Sequence, residues 1–292
     1  MLLSSLRLNE TETPNQKTLY FRRWSRLRLF DMSTEYRLIW FQHFHKAGGT
    51  SIVDLAKKNH ERFWKNHTTG NPRDEGGAEL ELWKYSPKQL TSFIDSCQER
   101  GTTFVATEWG VPNIDLLCSD DRVVLITCLR DPLERFVSNF YYALYNGYTP
   151  ARSLYEYEAT RGRTFTMFNY YCRVLTNHQS KSSEITASGY NDARSKLDRF
   201  NVCIILEYGF SKLQESLSWK IENLRSNKES SGLRNLLKLV LRGKLPLAYL
   251  RLKHPKSKPT DEFVQYFGSK NTWDLKLYNQ ILETNKALHS HM

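Results

Sequence analysis

Four short apolar runs, each bounded by polar residues, define the pattern of this chain. They are Tyr36 to Phe44 (YRLIWFQHF), Thr102 to Glu108 (TTFVATE), Arg122 to Leu129 (RVVLITCL) and Phe200 to Glu207 (FNVCIILE). Short runs that are rich in β-branched and aromatic residues are typical of strands buried on both faces of a sheet. The sequence therefore predicts four central strands.

Apolar residues at helical spacing follow the first, third and fourth of these runs. The three stretches cover residues 50–60, 132–146 and 210–224. Strands that alternate with helices favour an α/β fold, in which helices flank a central parallel sheet within a single domain. Because ligands of such sheets bind beyond the carboxyl ends of the strands, the residues after each run are the first candidates for a functional site.

Three segments fall outside this alternation. Residues 1–35 are polar and basic, and they predict a loosely attached arm or a short helix ahead of a domain that spans 36–292. Residues 67–79 are rich in turn-forming residues and predict a surface loop. Residues 225–260 form a basic, amphipathic insertion. We expect its apolar stripe to pack on the domain, and contact with an anionic membrane surface is the alternative.

The charge of the chain limits its partners only broadly. The formal net charge of +11 predicts attraction to anions such as nucleotides, sulfated glycans, nucleic acid or acidic lipids. The basic residues are dispersed and no recognised nucleic-acid-binding module is present, which argues against a nucleic-acid partner.

Cysteine spacing and hydropathy bear on metal binding and on localisation. The five cysteines include no C-x-x-C pair and are odd in number, so neither a zinc site nor a disulfide framework is predicted. The first residues lack the apolar stretch of a secretory signal. The longest apolar run, Val123 to Leu129, is far shorter than the ~20 residues that span a bilayer. We expect a cytoplasmic protein, or a Golgi-lumenal one if the N-terminus is incomplete.

A glycine loop follows the first predicted strand. Residues 46–51 read KAGGTS and lead into a helical pattern. The glycines allow a sharp turn, and successive N–H groups can bind an anion. The start of a helix, which Thr50 and Ser51 could cap, also favours an anion. The alternative is an ordinary strand–helix turn with a surface lysine. Lys46 precedes the glycines, so the G-x-x-x-x-G-K-[ST] loop of nucleotide triphosphatases is absent.

A second motif follows the third predicted strand. Asp131 and Pro132 predict a helix start. Arg130 leaves the end of the strand and Ser138 lies two turns into the helix, on a polar side that should also carry Arg135. Arg130 and Ser138 could together hold one phosphate through charge-assisted hydrogen bonds. A salt-bridged arginine and a solvated serine are the alternative.

The two motifs, in this order, resemble the carbohydrate sulfotransferases of the heparan sulfate 2-O- and 6-O- type. Those enzymes carry a loop similar to FxHIPKTGGTS and a later segment similar to LRDPxxRxxS. Further segments of this chain resemble the family in the same order between about residues 37 and 287: FNYYCRVLTN, VCIILEYGFSKLQESL, HPKSKP and NTWDLKLYNQ. The resemblance implies the P-loop-like sulfotransferase fold and the sulfate donor 3′-phosphoadenosine 5′-phosphosulfate, with no metal.

The resemblance also assigns residues to the donor. Arg130 and Ser138 would hold its 3′-phosphate. The 5′-phosphosulfate would be held by Lys46 and by the backbone of Ala47, Gly48, Gly49, Thr50 and Ser51. The loop departs from the family pattern, since His45 stands where the family has proline and Ala47 where it has threonine.

The resemblance also indicates which residue takes the acceptor's proton. In the family it is often a histidine near the end of the strand after the first helix, and Glu108 stands at that place here. We therefore expect Glu108 to be the base, with His43 as the rival and His45 as a third candidate, and with Lys46 assisting the transfer. His60 and His67 look like surface residues. A further three arginines could meet an anionic acceptor or form a solvated basic face: Arg152, Arg161 and Arg163.

The function expected on these grounds is transfer of a sulfuryl group to a hydroxyl of a glycan or another small acceptor. Such a transfer should be an in-line displacement, by analogy with phosphoryl transfer. The alternatives are a related nucleotide-binding protein without transfer activity and a P-loop kinase.

Overall fold

The computed structural model describes residues 36–160, 164–178, 184–221 and 233–289. The predicted arm at 1–35 and the first part of the 225–260 insertion lie outside these ranges.

A parallel sheet of four strands forms the centre of the domain. The strands of the described chain are β1 (Leu38–Gln42), β2 (His67–Thr68), β3 (Asn71–Pro72), β4 (Phe104–Thr107), β5 (Val123–Leu129) and β6 (Val202–Ile205). The large sheet has the order β4-β1-β5-β6 with every neighbouring pair parallel. Each of its strands falls inside one of the four predicted apolar runs, so that prediction is confirmed.

Helices surround this sheet. They are α1 (Gly49–Lys58), α2 (Pro87–Glu99), α3 (Ile114–Ser119), α4 (Pro132–Tyr145), α5 (Leu154–Ala159), α6 (Tyr170–Leu175), α7 (Ala187–Leu197), α8 (Ser211–Leu217), α9 (Leu233–Leu241), α10 (Leu245–Lys253), α11 (Asp261–Lys270) and α12 (Thr272–His289).

Both faces of the sheet are apolar, as expected for a parallel sheet covered by helices. Leu38 and Trp40 of β1 belong to the larger core cluster, with residues of α2, α3, α6, α7 and α12. The alternate residues Ile39 and Phe41 pack with α1 and α8 on the opposite face. A third, aromatic cluster joins α4 to α5 and α11. The predicted α/β fold with a central parallel sheet flanked by helices is confirmed.

Three local predictions need correction. Helix α2 was not among the predicted helices, although Ser86 and Gln89 form a capping box at its start. Residues 67–79 are not simply a surface loop, because β2 and β3 pair there and Asn71 and Pro72 are buried. The helix predicted over residues 210–224 ends at Leu217, since Ser218 adopts a left-handed φ of 57°, and residues 222–224 lie outside the described ranges.

The described part of the basic insertion contains α9 and α10. Helix α10 packs on α4, with Ala248 buried and Leu250 against the aromatic cluster. Large apolar side chains on both insertion helices nevertheless remain exposed, among them Leu241 and Leu252. The expectation that the apolar stripe packs on the domain is therefore only partly correct.

Candidate active site at the ends of β1, β4 and β5

The order of the parallel strands places two of the predicted motifs side by side. Along the chain the four strands of the large sheet occupy the order second, first, third, fourth. In doubly wound sheets of this order, the ligand crevice lies where the first and third strands adjoin, beyond their carboxyl ends. Here those strands are β1, which leads into the glycine loop, and β5, which leads into Arg130.

The glycine loop contains two residues in the left-handed region. Lys46 has a φ of 64° and Gly48 has a φ of 84°. A left-handed backbone costs a non-glycine residue roughly 1–2 kcal/mol, and such residues are concentrated at binding sites. Helix α1 begins at Gly49 with Gly48 as its N-cap and without a capping side chain. Thr50 and Ser51 therefore lie in the first turn and do not cap the helix as expected.

A side chain at Gly49, the second glycine of the loop, would clash with His43. A Cβ built on Gly49 would lie 2.0 Å from Nε2 of His43 and 2.3 Å from its Cδ2. The imidazole stacks on Phe41, with ring centroids 5.5 Å apart. The absence of a side chain at Gly49 thus makes room for His43 directly beside the start of α1.

Tyrosines of α4 and α6 contact the loop. The backbone N–H of His45 donates to the hydroxyl of Tyr170 at 2.8 Å. The Lys46 Nζ atom lies 4.3 Å from the ring centroid of Tyr142 on α4, a cation–π distance. The loop and α4 therefore meet at Lys46 and Tyr142.

Arg130 lies at the other end of the same face of α4. Its guanidinium contacts the Glu134 carboxylate at 3.3 Å, and Glu134, Ser138 and Tyr142 follow one another at four-residue spacing, which places them on one face. This face runs from Arg130 past Ser138 to the tyrosine that contacts Lys46. An ion pair with a partner as exposed as Glu134 contributes only about 0–1 kcal/mol, so Arg130 can readily exchange it for a phosphate.

The backbone of Arg130 is held by a second tyrosine of α6. Its N–H donates to the Tyr171 hydroxyl at 3.0 Å, and that hydroxyl donates to the Arg130 carbonyl at 2.7 Å. Asp131 caps α4 by accepting from the Glu134 N–H at 2.9 Å, with Pro132 as the first helical residue. The predicted helix start is confirmed.

The three candidate bases form one cluster. Gln42 pairs with Thr107 at the end of the β1–β4 ladder, so His43 and Glu108 follow as neighbours. The Glu108 Oε1 atom lies 2.7 Å from Nδ1 of His45, and its Oε2 lies 3.5 Å from Nδ1 of His43. All three side chains are largely buried, at 12–13% exposure.

The protonation of this cluster follows from burial and from charge. Burial alone would raise the pKa of Glu108, but His43 and His45 outweigh it and hold that pKa well below its usual range. Burial lowers the pKa of His45, although Glu108 opposes the change. A charged carboxylate only accepts hydrogen bonds, so the neutral His45 must donate its Nδ1–H to Glu108. Its Nε2 then carries the lone pair of a base.

Aromatic rings enclose His45, and the sequence did not predict them. Phe165 stacks on the imidazole at 5.0 Å between centroids, and Trp109 does so at 6.0 Å. Tyr142 meets the imidazole edge-on at 5.6 Å. Trp109 is 41% exposed, so this aromatic wall reaches the surface. Trp109 could have been placed at the site from the sequence only because it directly follows Glu108. Phe165 lies far away in the chain and gave no such indication.

Arg135 does not lie on the polar side of α4 with Ser138, so that prediction is wrong. It is only 2% exposed, and its guanidinium stacks on Tyr170 at 4.1 Å from the ring centroid. It also donates to the Phe165 carbonyl at 3.3 Å. Arg135 is therefore a buried residue that packs against Tyr170 and Tyr171, the tyrosines that contact the loop and Arg130.

Other predicted residues lie outside the cluster. Arg152 is exposed and donates to the carbonyls of Pro150 and Ala151, while Arg161 and Arg163 lie outside the described residues. His60 is exposed, as predicted. His67 is only partly buried, stacks on Phe63, and burial lowers its pKa.

Within the described residues, no group of three or more histidine, cysteine, aspartate or glutamate side chains is arranged to hold a metal ion. No helix in the same ranges is long and apolar enough to cross a membrane. The five cysteines have free thiols, and all but Cys118 are buried: Cys97, Cys128, Cys172 and Cys203.

A separate cleft of about 290 Å³ lies at the carboxyl end of β6, where Ile204, Tyr208 and Lys212 line it. None of the predicted site residues borders this mainly apolar cleft, so it is not the site described above.

Comparison with known proteins adds no assignment. No model of a known protein family matches this chain, and no curated protein matches it significantly.

Proposed function

We propose that this protein is a sulfotransferase that uses 3′-phosphoadenosine 5′-phosphosulfate and transfers its sulfuryl group to a hydroxyl of a glycan or another small acceptor. The observation that carries the proposal is the pairing of two basic segments, Lys46 after β1 and Arg130 after β5, across the switch point of the sheet. One face of α4 connects them. A donor with phosphate groups at two positions of one nucleoside needs such a pair of sites.

The two halves take different parts of the donor in this proposal. The left-handed turn at Lys46 and Gly48, together with the uncapped start of α1, directs N–H groups at the 5′-phosphosulfate. Lys46 leaves the Tyr142 ring and stabilises the charge that develops on the departing phosphate. Arg130 and Ser138 hold the 3′-phosphate, with Arg130 exchanging Glu134 for the ligand.

The proton acceptor in this proposal is His45 and not Glu108, the base expected from the sequence; Glu108 becomes a positioning residue. Glu108 is a poor base because its pKa is held low, but its charge fixes the His45 tautomer with Nε2 unprotonated. The bond from the acceptor oxygen to sulfur forms as the bond from sulfur to the phosphate oxygen breaks. The acceptor proton moves to His45 Nε2, which becomes an imidazolium next to the Glu108 carboxylate. His43, whose Nε2 lies against Gly49, supports Glu108 from the other side.

The first test is donor binding, measured by calorimetry with the desulfated product adenosine 3′,5′-bisphosphate. We expect Lys46→Ala and Arg130→Ala each to weaken binding about 10- to 100-fold, the range for hydrogen bonds to charged groups. The matched controls are Lys84→Ala and Arg199→Ala, which remove basic residues paired to Glu81 and Asp115, outside the proposed site. Wild-type protein that fails to bind the bisphosphate contradicts the proposal.

The second test is transfer of labelled sulfate from the donor to a panel of glycans and small alcohols. Lys46→Ala should slow transfer about 10²-fold or more, the scale of one lost transition-state contact. The two controls should leave the rate unchanged. Tight binding of the bisphosphate with no transfer to any acceptor, or to water, would identify a nucleotide-binding protein without transfer activity.

A further inference from the structure

Helices α9 and α10 pack against each other and, with the loop that follows them, are basic and expose apolar side chains. We call residues 233–260 the basic hairpin. It exposes a set of large apolar side chains: Leu237, Val240, Leu241, Leu245, Tyr249 and Leu252. Leu241 is 78% exposed and Leu252 is 66% exposed. Such a concentration of exposed apolar side chains marks an interaction surface.

The exposed apolar residues follow the helical repeat. On α10, Leu245, Tyr249 and Leu252 are spaced by four and then three residues, so they share one face. On α9, Leu237 and Leu241 are spaced by four. A different side of α10 contacts the domain, where Leu250 packs on the aromatic cluster and the Tyr145 hydroxyl donates to the His254 carbonyl at 2.8 Å. Helix α10 is therefore fastened by one side and presents an apolar stripe on the other, and α9, which packs against α10, adds further exposed apolar side chains.

The charge of the basic hairpin is of one sign. It contains eight lysines and arginines and no aspartate or glutamate, whereas the other 264 residues hold 34 basic and 31 acidic side chains. Most of the net charge of the chain is thus concentrated in this segment. Basic groups adjoin the stripe directly, since Lys253 Nζ lies 5.6 Å from the Tyr249 ring centroid.

The exposed apolar side chains and the positive charge of the basic hairpin together indicate which kind of partner it binds. A second copy of the chain would bring two strongly positive surfaces into contact, which is unfavourable. The backbone of a nucleic acid would match the charge but would leave the leucines without an apolar partner. An anionic bilayer surface satisfies both, because its phosphates attract lysine and arginine while apolar side chains enter the boundary between headgroups and acyl chains.

We propose that the basic hairpin docks this protein on anionic membranes, with Leu241, Leu245 and Leu252 inserted at the headgroup boundary. This docking is independent of the transferase proposal. It requires no spanning helix and acts through exposed side chains that can be replaced without disturbing the core.

The test is co-sedimentation of the full chain with vesicles. We expect binding to phosphatidylcholine vesicles that contain about 30% phosphatidylserine or phosphatidylglycerol, and little binding to phosphatidylcholine alone, because each basic residue near the surface strengthens binding roughly five-fold. Raising the salt concentration should weaken binding, since it screens the surface charge. Wild-type protein that stays in the supernatant with both anionic vesicles overturns the proposal.

Two sets of variants identify the surface. Leu241→Ser combined with Leu252→Ser should reduce vesicle binding more than about ten-fold, since each leucine contributes buried apolar area. The matched control is Val264→Ser, an exposed apolar residue of α11 outside the hairpin, which should have no effect. Far-ultraviolet circular dichroism confirms that the variants are folded. Equal binding by the leucine double variant and the control, or a dimer that this double variant dissociates, contradicts membrane docking.

Discussion

Replacement of Gly49 by alanine tests the geometry of the glycine loop most directly. The added methyl would lie 2.0 Å from His43 Nε2, whereas ordinary contact begins at 3.4 Å, so the imidazole would have to retreat by about 1.4 Å. Its stacking on Phe41 and its contact with Glu108 oppose that movement. Overpacking of this kind costs about 1–3 kcal/mol, and alanine in place of glycine within a helix returns at most ~1 kcal/mol.

We therefore expect Gly49→Ala to lower the free energy of unfolding by about 2 kcal/mol, or the melting temperature by roughly 4–8 °C. Urea denaturation and thermal melting would measure it. The matched control is Gly268→Ala in α11, where a Cβ would meet nothing within 4 Å. That substitution should stabilise the protein by up to ~1 kcal/mol through helix propensity.

A double-mutant cycle with His43→Ala isolates the cause. Once the imidazole is removed, the alanine at position 49 has space, and its cost should vanish. The coupling free energy should then be about 2–3 kcal/mol, within the range measured for residues in direct contact. If Gly49→Ala destabilises the protein equally with and without His43, the contact between them does not explain the glycine.

Two further predictions concern the supports of the site. In a pH series, the transfer rate (kcat/KM) should fall towards acid as His45 is protonated, below the ordinary histidine pKa of about 6.5 because burial lowers the pKa of His45. Glu108 raises the pKa of His45, so Glu108→Gln should move this decrease in rate to lower pH and reduce the maximal rate at higher pH about 10²-fold or more. If the rate of the variant no longer decreases towards acid at all, Glu108 is the base. Asp274→Asn should lower the free energy of unfolding, measured in urea, by about 1–3 kcal/mol. The two carboxylate oxygens of Asp274 accept the backbone N–H groups of Tyr171 and Cys172, and the asparagine amide would place an N–H donor against one of them. The exposed Asp261→Asn should change it by less than about 0.5 kcal/mol, and equal effects of the two variants would contradict the assigned role.

Much of the fold could be predicted from local pattern, because each central strand is a compact apolar run. Helix α2 was missed although it carries strong local signals, the capping box at Ser86 and the proline after it. Arg135 was misplaced for a different reason. An arginine on a helix is ordinarily solvated, and its burial here depends on Tyr170, which the chain supplies only after another 35 residues.

The residues of the candidate site were predicted one by one, but the contacts between them were not. The contact of His45 with Glu108 joins positions 63 residues apart. It depends on the register that places Gln42 opposite Thr107, because a slip of one residue would turn Glu108 to the other face of the sheet. Local sequence does not fix such a register. It follows from the packing of both faces of the sheet, where every residue of β4 is buried.

One short helix holds both halves of the proposed donor site. Consecutive tyrosines of α6 contact the two segments: the Tyr170 hydroxyl accepts from His45 in the loop after β1, and the Tyr171 hydroxyl bridges the backbone of Arg130 after β5. Because the two residues are adjacent on one helix, the separation between the segments depends on a rigid element as well as on the sheet.

Helices α6 and α12 hold each other in place because a side chain at the start of each helix caps the other. Asp274 of α12 accepts from the first N–H groups of α6, and the Asn169 side chain accepts from Trp273 and Asp274 at the start of α12. The segments FNYYCRVLTN and NTWDLKLYNQ therefore support the site through the contacts between their helices. Their polar residues satisfy buried helix ends, which would otherwise cost free energy, and this arrangement sets where Tyr170 and Tyr171 hold the loop and Arg130.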